Sequence, residues 1–342
     1  VQLRAVPLVR RDTTTVQVGT DPRWAVLLAE LSPGAARALG ALPAGASERT
    51  LHAALDAERV PVAERDAVLA HLQAAHLLVP APRAVPAPGA GDQRAWSLLA
   101  ADGDVSASLT RRARAVVRVV GLGRTAAVLV ATLAAAGVGT LELDDPGPVE
   151  PADAGFGGLT PGDVGARRDR ALAAAVHAAR PDVRVGAARR GLARVPDVVV
   201  LVDRLVADPV GHVPLLDQDV VHLSVLLREA SVLVGPLVVP GASACLTCLD
   251  RHRADADPGW PAVAAQLVAR RTGPAEESAL ATVAGGLAAA QVLAHLDGRT
   301  SATRDGALEV ALPDLAVRTQ TWAPHPSCGC GAHVAAGGET PA

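Results

Sequence analysis

The four cysteines of this 342-residue chain fall into two tight pairs, Cys245-Leu-Thr-Cys248 and Cys328-Gly-Cys330. A two-residue and a one-residue gap each let two thiolates converge on one ion. Two such pairs complete the closed tetrahedral set of a structural zinc site. The alternatives are two disulfides or four incidental buried thiols. Disulfides are disfavoured because no secretory signal is read and the chain is too large to need staples. With all four sulfurs on one ion, no thiol remains as a nucleophile and no coordination position remains for substrate. The fold must therefore carry residues near the end of the chain back to its middle.

At this length there is room for two domains with sizeable cores. The formal net charge of -3 gives no basic surplus, which argues against nucleic acid as a partner. Lysine, asparagine, isoleucine, methionine and tyrosine are absent. A GC-rich coding bias accounts for this, but it has chemical consequences. No glycine-rich loop here can use a phosphate-binding lysine, and no asparagine can serve a site. Two apolar stretches, 125–141 and 280–296, are rich in alanine and glycine and fall short of the ~20 strongly apolar residues of a membrane span. The expectation is a soluble, cytoplasmic protein with no membrane partner.

The run Pro80-Ala-Pro-Arg-Ala-Val-Pro-Ala-Pro-Gly-Ala-Gly91 reads as a stiff spacer without apolar periodicity. It suggests an N-terminal module over 1–80, a linker over 81–92 and a larger domain over 93–342. In the first module, residues 6–10, 14–20 and 23–31 are rich in strand formers, with a turn at Gly19-Thr-Asp-Pro22. Ser32-Pro33 and Ser47 then open two helices, and 62–78 forms a third with Val68, Leu69, Leu72 and Ala75 at helical spacing. Three strands followed by three helices is a winged-helix-like (β3α3) plan. A DNA-reading role is disfavoured because the third helix offers Arg65 beside Glu64 and Asp66, where base and phosphate contacts would require several arginines. Peptide binding fits better: an open sheet edge can accept an added strand. Arg23 and Trp24 on the edge, with Arg65, Val68 and Leu72 as a wall, are the candidate contacts.

The larger domain is α/β. A strand over 114–120 ends at Gly121-Leu-Gly123, a helix follows over 124–136, and a second strand over 138–143 ends at Asp144-Asp145. This is the strand, glycine turn, helix and strand of Rossmann-like nucleotide-binding folds. Asp145 stands where an acidic group reaches a ribose hydroxyl. A helix over 164–179, a buried strand over 195–203, apolar runs over 220–227 and 231–239, a long helix over 280–296 and a β-rich tail over 307–322 complete the domain. His252 and His325 flank the cysteine pairs and are expected to stand beside the ion rather than bind it.

These features resemble the ThiF/MoeB superfamily, the adenylating enzymes related to ubiquitin-activating enzyme. Gly121-Leu-Gly123, the acidic end of the second strand, the strand ending in Asp203 and the two cysteine pairs carry the likeness. The segment Gly235-Pro-Leu-Val-Val-Pro-Gly241, Cys245-Leu-Thr-Cys248-Leu-Asp-Arg-His252 and the ending His325-Pro-Ser-Cys-Gly-Cys330 resemble its cyclodehydratase-associated branch. The resemblance implies a ThiF-type fold with a zinc tetrathiolate and a leader peptide of a ribosomal precursor as partner. It also implies a YcaO-type azoline-forming enzyme as a second partner, and pairing into a homodimer. Gly121, Gly123, Asp145, Arg168 and Asp203 fall at the family's nucleotide positions, with Asp203 at its magnesium-associated aspartate.

Departures at those positions make ATP and Mg2+ doubtful as cofactors. Asp153 stands where the family carries asparagine, the segment Val149-Glu-Pro-Ala-Asp-Ala-Gly-Phe-Gly157 has no arginine, and Arg204 follows Asp203. A carboxylate facing a triphosphate is repulsive. The expected function is a leader-peptide-binding scaffold serving a YcaO-type cyclodehydratase. The alternative is an active adenylyltransferase for a C-terminal carboxylate.

Overall fold

In a computed structural model, residues 1–22, 25–81, 90–155, 158–188, 194–270 and 273–332 are described. Arg23, Trp24 and most of the proline-rich spacer lie outside them. The chain divides into two compact units, Val1–Leu109 and Thr110–Ala342.

The first unit contains β1 (Gln2–Leu3), β2 (Leu8–Arg10), β3 (Val16–Val18), β4 (Val26–Leu28), α1 (Pro33–Gly40), α2 (Glu48–Ala57), α3 (Val62–Ala74), β5 (Leu78–Val79) and α4 (Ala90–Ser97). A further helix, α5 (Ser106–Arg114), runs across the division. Strands β2, β3 and β4 form an antiparallel sheet in that order. The Ser32 hydroxyl accepts from Ala35 N to cap α1, and Ser47 accepts from Thr50 N to cap α2. Leu8, Val16, Val18 and Leu28 face inward onto Leu39, Leu51, Leu55, Val68 and Leu72. The opposite face of the sheet carries the row Val9, Gln17 and Leu27, of which Val9 and Leu27 are exposed.

Helix α3 ends sooner than its periodicity suggests. His76 turns left-handed (φ 53°), and Leu77 N and His76 N donate back to Leu72 O and Gln73 O. This double closure satisfies the last carbonyls and releases the chain. Leu78–Val79 then pairs with Gln2–Leu3 as a second small sheet, which the sequence reading did not anticipate. Arg4 adds a clamp by donating to His76 O, Ser97 O, Ala100 O and Ala101 O.

The second unit contains β6 (Val116–Val120), α6 (Arg124–Ala135), β7 (Thr140–Asp144), α7 (Arg168–Ala179), β8 (Arg184–Ala187), β9 (Val198–Arg204), α8 (Pro209–Asp217), β10 (His222–Leu227) and β11 (Ser231–Val238). It continues with α9 (Leu246–Ala256), α10 (Trp260–Val268), α11 (Ser278–Leu296), β12 (Gly306–Ala311) and β13 (Val317–Thr321). The eight strands lie in the order β13-β12-β11-β10-β9-β6-β7-β8. Strands β8, β7, β6, β9 and β10 run parallel, and β11, β12 and β13 extend the sheet antiparallel. The chain runs outward from β6 to β8, then returns to lay β9 on the other side of β6. That reversal creates a crevice at the carboxyl ends of β6 and β9, where open α/β sheets receive ligands.

Central strands are apolar on both faces because helices cover both, and all of β10 is buried. Helix α11 is long and apolar enough to cross a membrane, but 61% of that stretch is buried within this structure, packed on α6 and β11. Its close approach to α6 depends on Gly285, where a Cβ would meet Thr125 O at 2.6 Å and Val128 Cβ at 2.8 Å. Its neighbour Gly286 has open space around it.

Two histidines are sealed in the second unit. His212 on α8 and His222 on β10 are 1% and 0% exposed. His222 Nδ1 lies 2.9 Å from Val220 O, while its Nε2 and both nitrogens of His212 have no partner among the described residues. Burial lowers both to about 4.

Two outcomes follow for urea denaturation. Gly285→Val should destabilise by about 1–3 kcal/mol through overpacking. Gly286→Ala should be neutral or stabilise by up to about 1 kcal/mol. For the histidines, the unfolded chain takes up protons below about pH 6.5 that the folded chain refuses until about 4. Stability should therefore fall as pH drops from 6.5 to 4, and His212→Gln should lose less over that window than the parent protein.

Candidate functional site

The glycine turn is shaped by contact between two strand ends. Gly121 leaves β6 with φ +83°, and a Cβ there would lie 2.5 Å from Val202 O on β9. Only glycine suits both conditions. Gly123 then caps the start of α6. Asp145, just past β7, accepts from Leu122 N and Gly147 N, each at 3.0 Å. Arg168, the first residue of α7, donates from Nε to Asp153 Oδ2 at 2.7 Å. It also lies 3.5 Å from Asp145 and 3.4 Å from Glu150. The fold thus gathers Gly121, Gly123, Asp145, Arg168 and Asp203 at the carboxyl ends of β6, β7 and β9.

The charges there are arranged differently from the expectation. Asp153 is not a bare carboxylate facing the turn: it is 6% exposed, binds Arg168 and accepts from Glu150 N. Nor does Arg204 stand as a lone cation beside Asp203, because it pairs with Glu276 at 3.5 Å. Asp203 Oδ2 is buried and has no hydrogen-bond partner among the described residues. Burial pushes its carboxyl up to about 7.

Glu276 is the residue that sequence reasoning missed. Its Oε2 accepts from Thr125 N, in the first turn of α6, at 2.7 Å, and its side chain is 6% exposed. Its Oε1 lies where a Cβ on Gly123 would stand, 1.9 Å away. Arg124 fastens the same segment by donating to Glu276 O at 3.3 Å, Ser278 Oγ at 3.1 Å and Ala154 O at 2.7 Å. No local pattern links Glu276 to a turn 150 residues earlier; the adjacent Glu277, which caps α11, signals only a helix start.

The residues at this crevice fit a nucleotide in part. Asp203 Oδ2 has the chemistry to hold a hard cation. A helix N-terminus approached through glycines suits an anion. Yet Thr125 N and Arg168 already have carboxylate partners within the chain.

The cysteines meet as their spacing implies. Cys245 and Cys248 lie at the start of α9, and the tail returns with Cys328 and Cys330. Sulfur separations are 3.7 Å for Cys245–Cys248, 3.6 Å for Cys245–Cys328 and 3.5 Å for Cys248–Cys330. A tetrahedral ion with bonds of about 2.3 Å requires edges of about 3.8 Å. Burial first, and then the neighbouring thiols, push the Cys245 thiol upward. The geometry and donors therefore suit a structural zinc ion. His325 supports the tail from outside the sulfur set: Nε2 lies 2.9 Å from Asp255 Oδ2, and Nδ1 accepts from Ser327 N. His252 Nε2 lies 2.9 Å from Ala323 O.

In the first unit, Arg65 donates to Val60 O and pairs with Asp56. Val68 and Leu72 are 3% and 0% exposed. Their side chains belong to the buried core of the first unit, which corrects their assignment to a peptide-facing wall. Arg23 and Trp24 lie outside the described residues.

Elemental analysis should find one zinc per chain. Cys248→Ser should lose the metal and several kcal/mol of stability, up to about 10, read as a lowered urea midpoint and proteolysis of the tail.

The ThiF family profile matches residues 92–332. No curated protein sequence matches the chain. Among solved structures, E. coli MccB with ATP aligns with a TM-score of 0.68 at 16% identity, covering 96% of this chain and 98% of that one. A structure described as the microcin C7 biosynthetic enzyme MccB in complex with N-formylated MccA aligns at 0.66 and 16% identity, covering 97% and 99%. PaaA aligns at 0.67 and 16% identity, covering 93% and 98%. At this identity the structures establish a shared fold, while the profile spans most of the chain. The chain belongs to the ThiF family.

Proposed function

We propose that this protein binds the leader segment of a ribosomally made precursor peptide and presents it to a separate YcaO-type cyclodehydratase. Residues 1–80 form the winged-helix-like recognition module, 81–92 the linker, and 93–342 a zinc-pinned docking platform that pairs with a second copy. The observation that carries this reading is the edge of β4, which pairs with no further strand among the described residues in the sheet order β2-β3-β4. An extended peptide can add there, its backbone completing the ladder and its side chains meeting Leu27 on the outer face. Support also comes from the fold shared over nearly the whole chain with MccB, whose structures include complexes with MccA. The contribution to heterocycle formation is positioning, by raising the local concentration of substrate at the partner enzyme.

A second reading is adenylation of a peptide C-terminus, with Gly121, Gly123, Asp145, Arg168 and Asp203 around ATP and Mg2+. The unpartnered Asp203 Oδ2 and the fold shared with the ATP complex of MccB favour it. In that case, pyrophosphate exchange with ATP would appear and be lost in Asp203→Ala.

Fluorescence anisotropy with labelled peptides from short reading frames neighbouring the gene tests the first reading. A cognate peptide should bind, and Leu27→Glu should weaken it at least tenfold with the melting temperature unchanged. Equal affinity for the variant would reject the β4 edge as the docking strand.

A further inference from the structure

The anion-binding end of α6 is occupied by the protein's own carboxylate. Helix α6 presents free N–H groups and the positive end of its dipole at Gly123 to Thr125, an arrangement that attracts phosphate or carboxylate. Glu276 fills that position from a segment distant in sequence: its Oε2 takes the Thr125 N–H at 2.7 Å and its Oε1 lies against Gly123. Two arginines secure it. Arg204 pairs with the carboxylate at 3.5 Å, while Arg124 holds the backbone of Glu276 and the hydroxyl of Ser278. Gly273 makes room for this clasp, since a Cβ there would lie 2.2 Å from Arg204 Cδ.

A second observation marks the same turn as a ligand position rather than a simple helix cap. Thr125 is 1% exposed, and its Oγ1 has no partner among the described residues. The same is true of the buried Nε of Arg124. Glu276 therefore meets part of the turn's donor capacity, and two buried polar atoms of the same turn stay unsatisfied among the described residues, a costly arrangement unless another ligand can use them.

We propose that Glu276 is an internal phosphate surrogate that holds the glycine-turn cradle closed, so that a nucleotide polyphosphate enters only by displacing the segment 273–278. The carboxylate is tethered, so it competes at a high effective concentration. A phosphate arriving beside an undisplaced Glu276 meets a like charge in a water-poor crevice, where repulsion is strong. The proposal concerns residues 110–342 alone and holds whether or not the first unit binds a peptide.

Isothermal titration with Mg·ATP and with inorganic tripolyphosphate tests it. Glu276→Gln keeps the side-chain volume and an acceptor for Thr125 N but removes the charge. It should bind both ligands at least tenfold more tightly than the parent protein. Glu276→Asp, too short to reach Thr125 N, provides a second variant, with an intermediate gain expected; unchanged zinc content and melting temperature establish that each variant is folded. In hydrogen exchange of the parent protein, saturating tripolyphosphate should deprotect peptides covering 273–280. Affinities equal across the three proteins, or ligand binding to the parent without deprotection of that segment, would overturn the proposal. Failure of peptide binding would leave it untouched.

Discussion

The convergence of four sulfurs on one point is the constraint that the second unit is built around. Cys245 and Cys248 sit where β11 gives way to α9, and Cys328 and Cys330 lie beyond the last strand, so closing the set returns the tail to the sheet. Among the described residues, the ties around that point act in the same sense. His325 bridges to Asp255, His252 to Ala323, and Ala244 N donates to Asp305 Oδ1 at 2.6 Å. Each closes a long loop, and an ion held by the four sulfurs would make the closures cooperative.

A second constraint governs the crevice at the strand ends. Reversal of the order of strand addition after β8 places the turn after β6, the end of β7 and the end of β9 together. Charged groups buried there gain from pairing because removal from water is costly to an unpaired charge. The protein supplies that pairing from within: Asp145, Glu150 and Asp153 surround Arg168, and Glu276 meets Arg204. The same network leaves Thr125 N and Arg168 already engaged by carboxylates of the chain.

Much of the architecture was legible in the chain. The valine-rich runs at β6, β9, β10 and β11 announce buried strands, and Ser32 and Ser47 announce helix starts through local hydrogen bonds. Other elements were not legible. Helices α8, α9 and α10 carry short or weak apolar patterns, so periodicity gives little signal there. The pairing of β1 with β5 joins segments of two residues, too short for alternation to register. Val68 and Leu72 show why a helical stripe is ambiguous: inward periodicity and a binding wall produce the same spacing, and only the packed core of the first unit shows both side chains buried.

Local chemistry alone determined the main buried strands, the longer helices, the glycine turn and the sulfur pairs, because spacing and periodicity act over a few residues. Which charges meet was decided only in three dimensions. Nothing near Glu276 in the chain distinguishes it from a solvent-facing carboxylate, and nothing near Asp153 foretells Arg168 as its partner. Those pairings arise because the order of strand addition reverses between β8 and β9 and α11 packs across α6 on Gly285. Distant carboxylates are thereby brought against a helix end and guanidinium groups, contacts that exist only once the chain is folded.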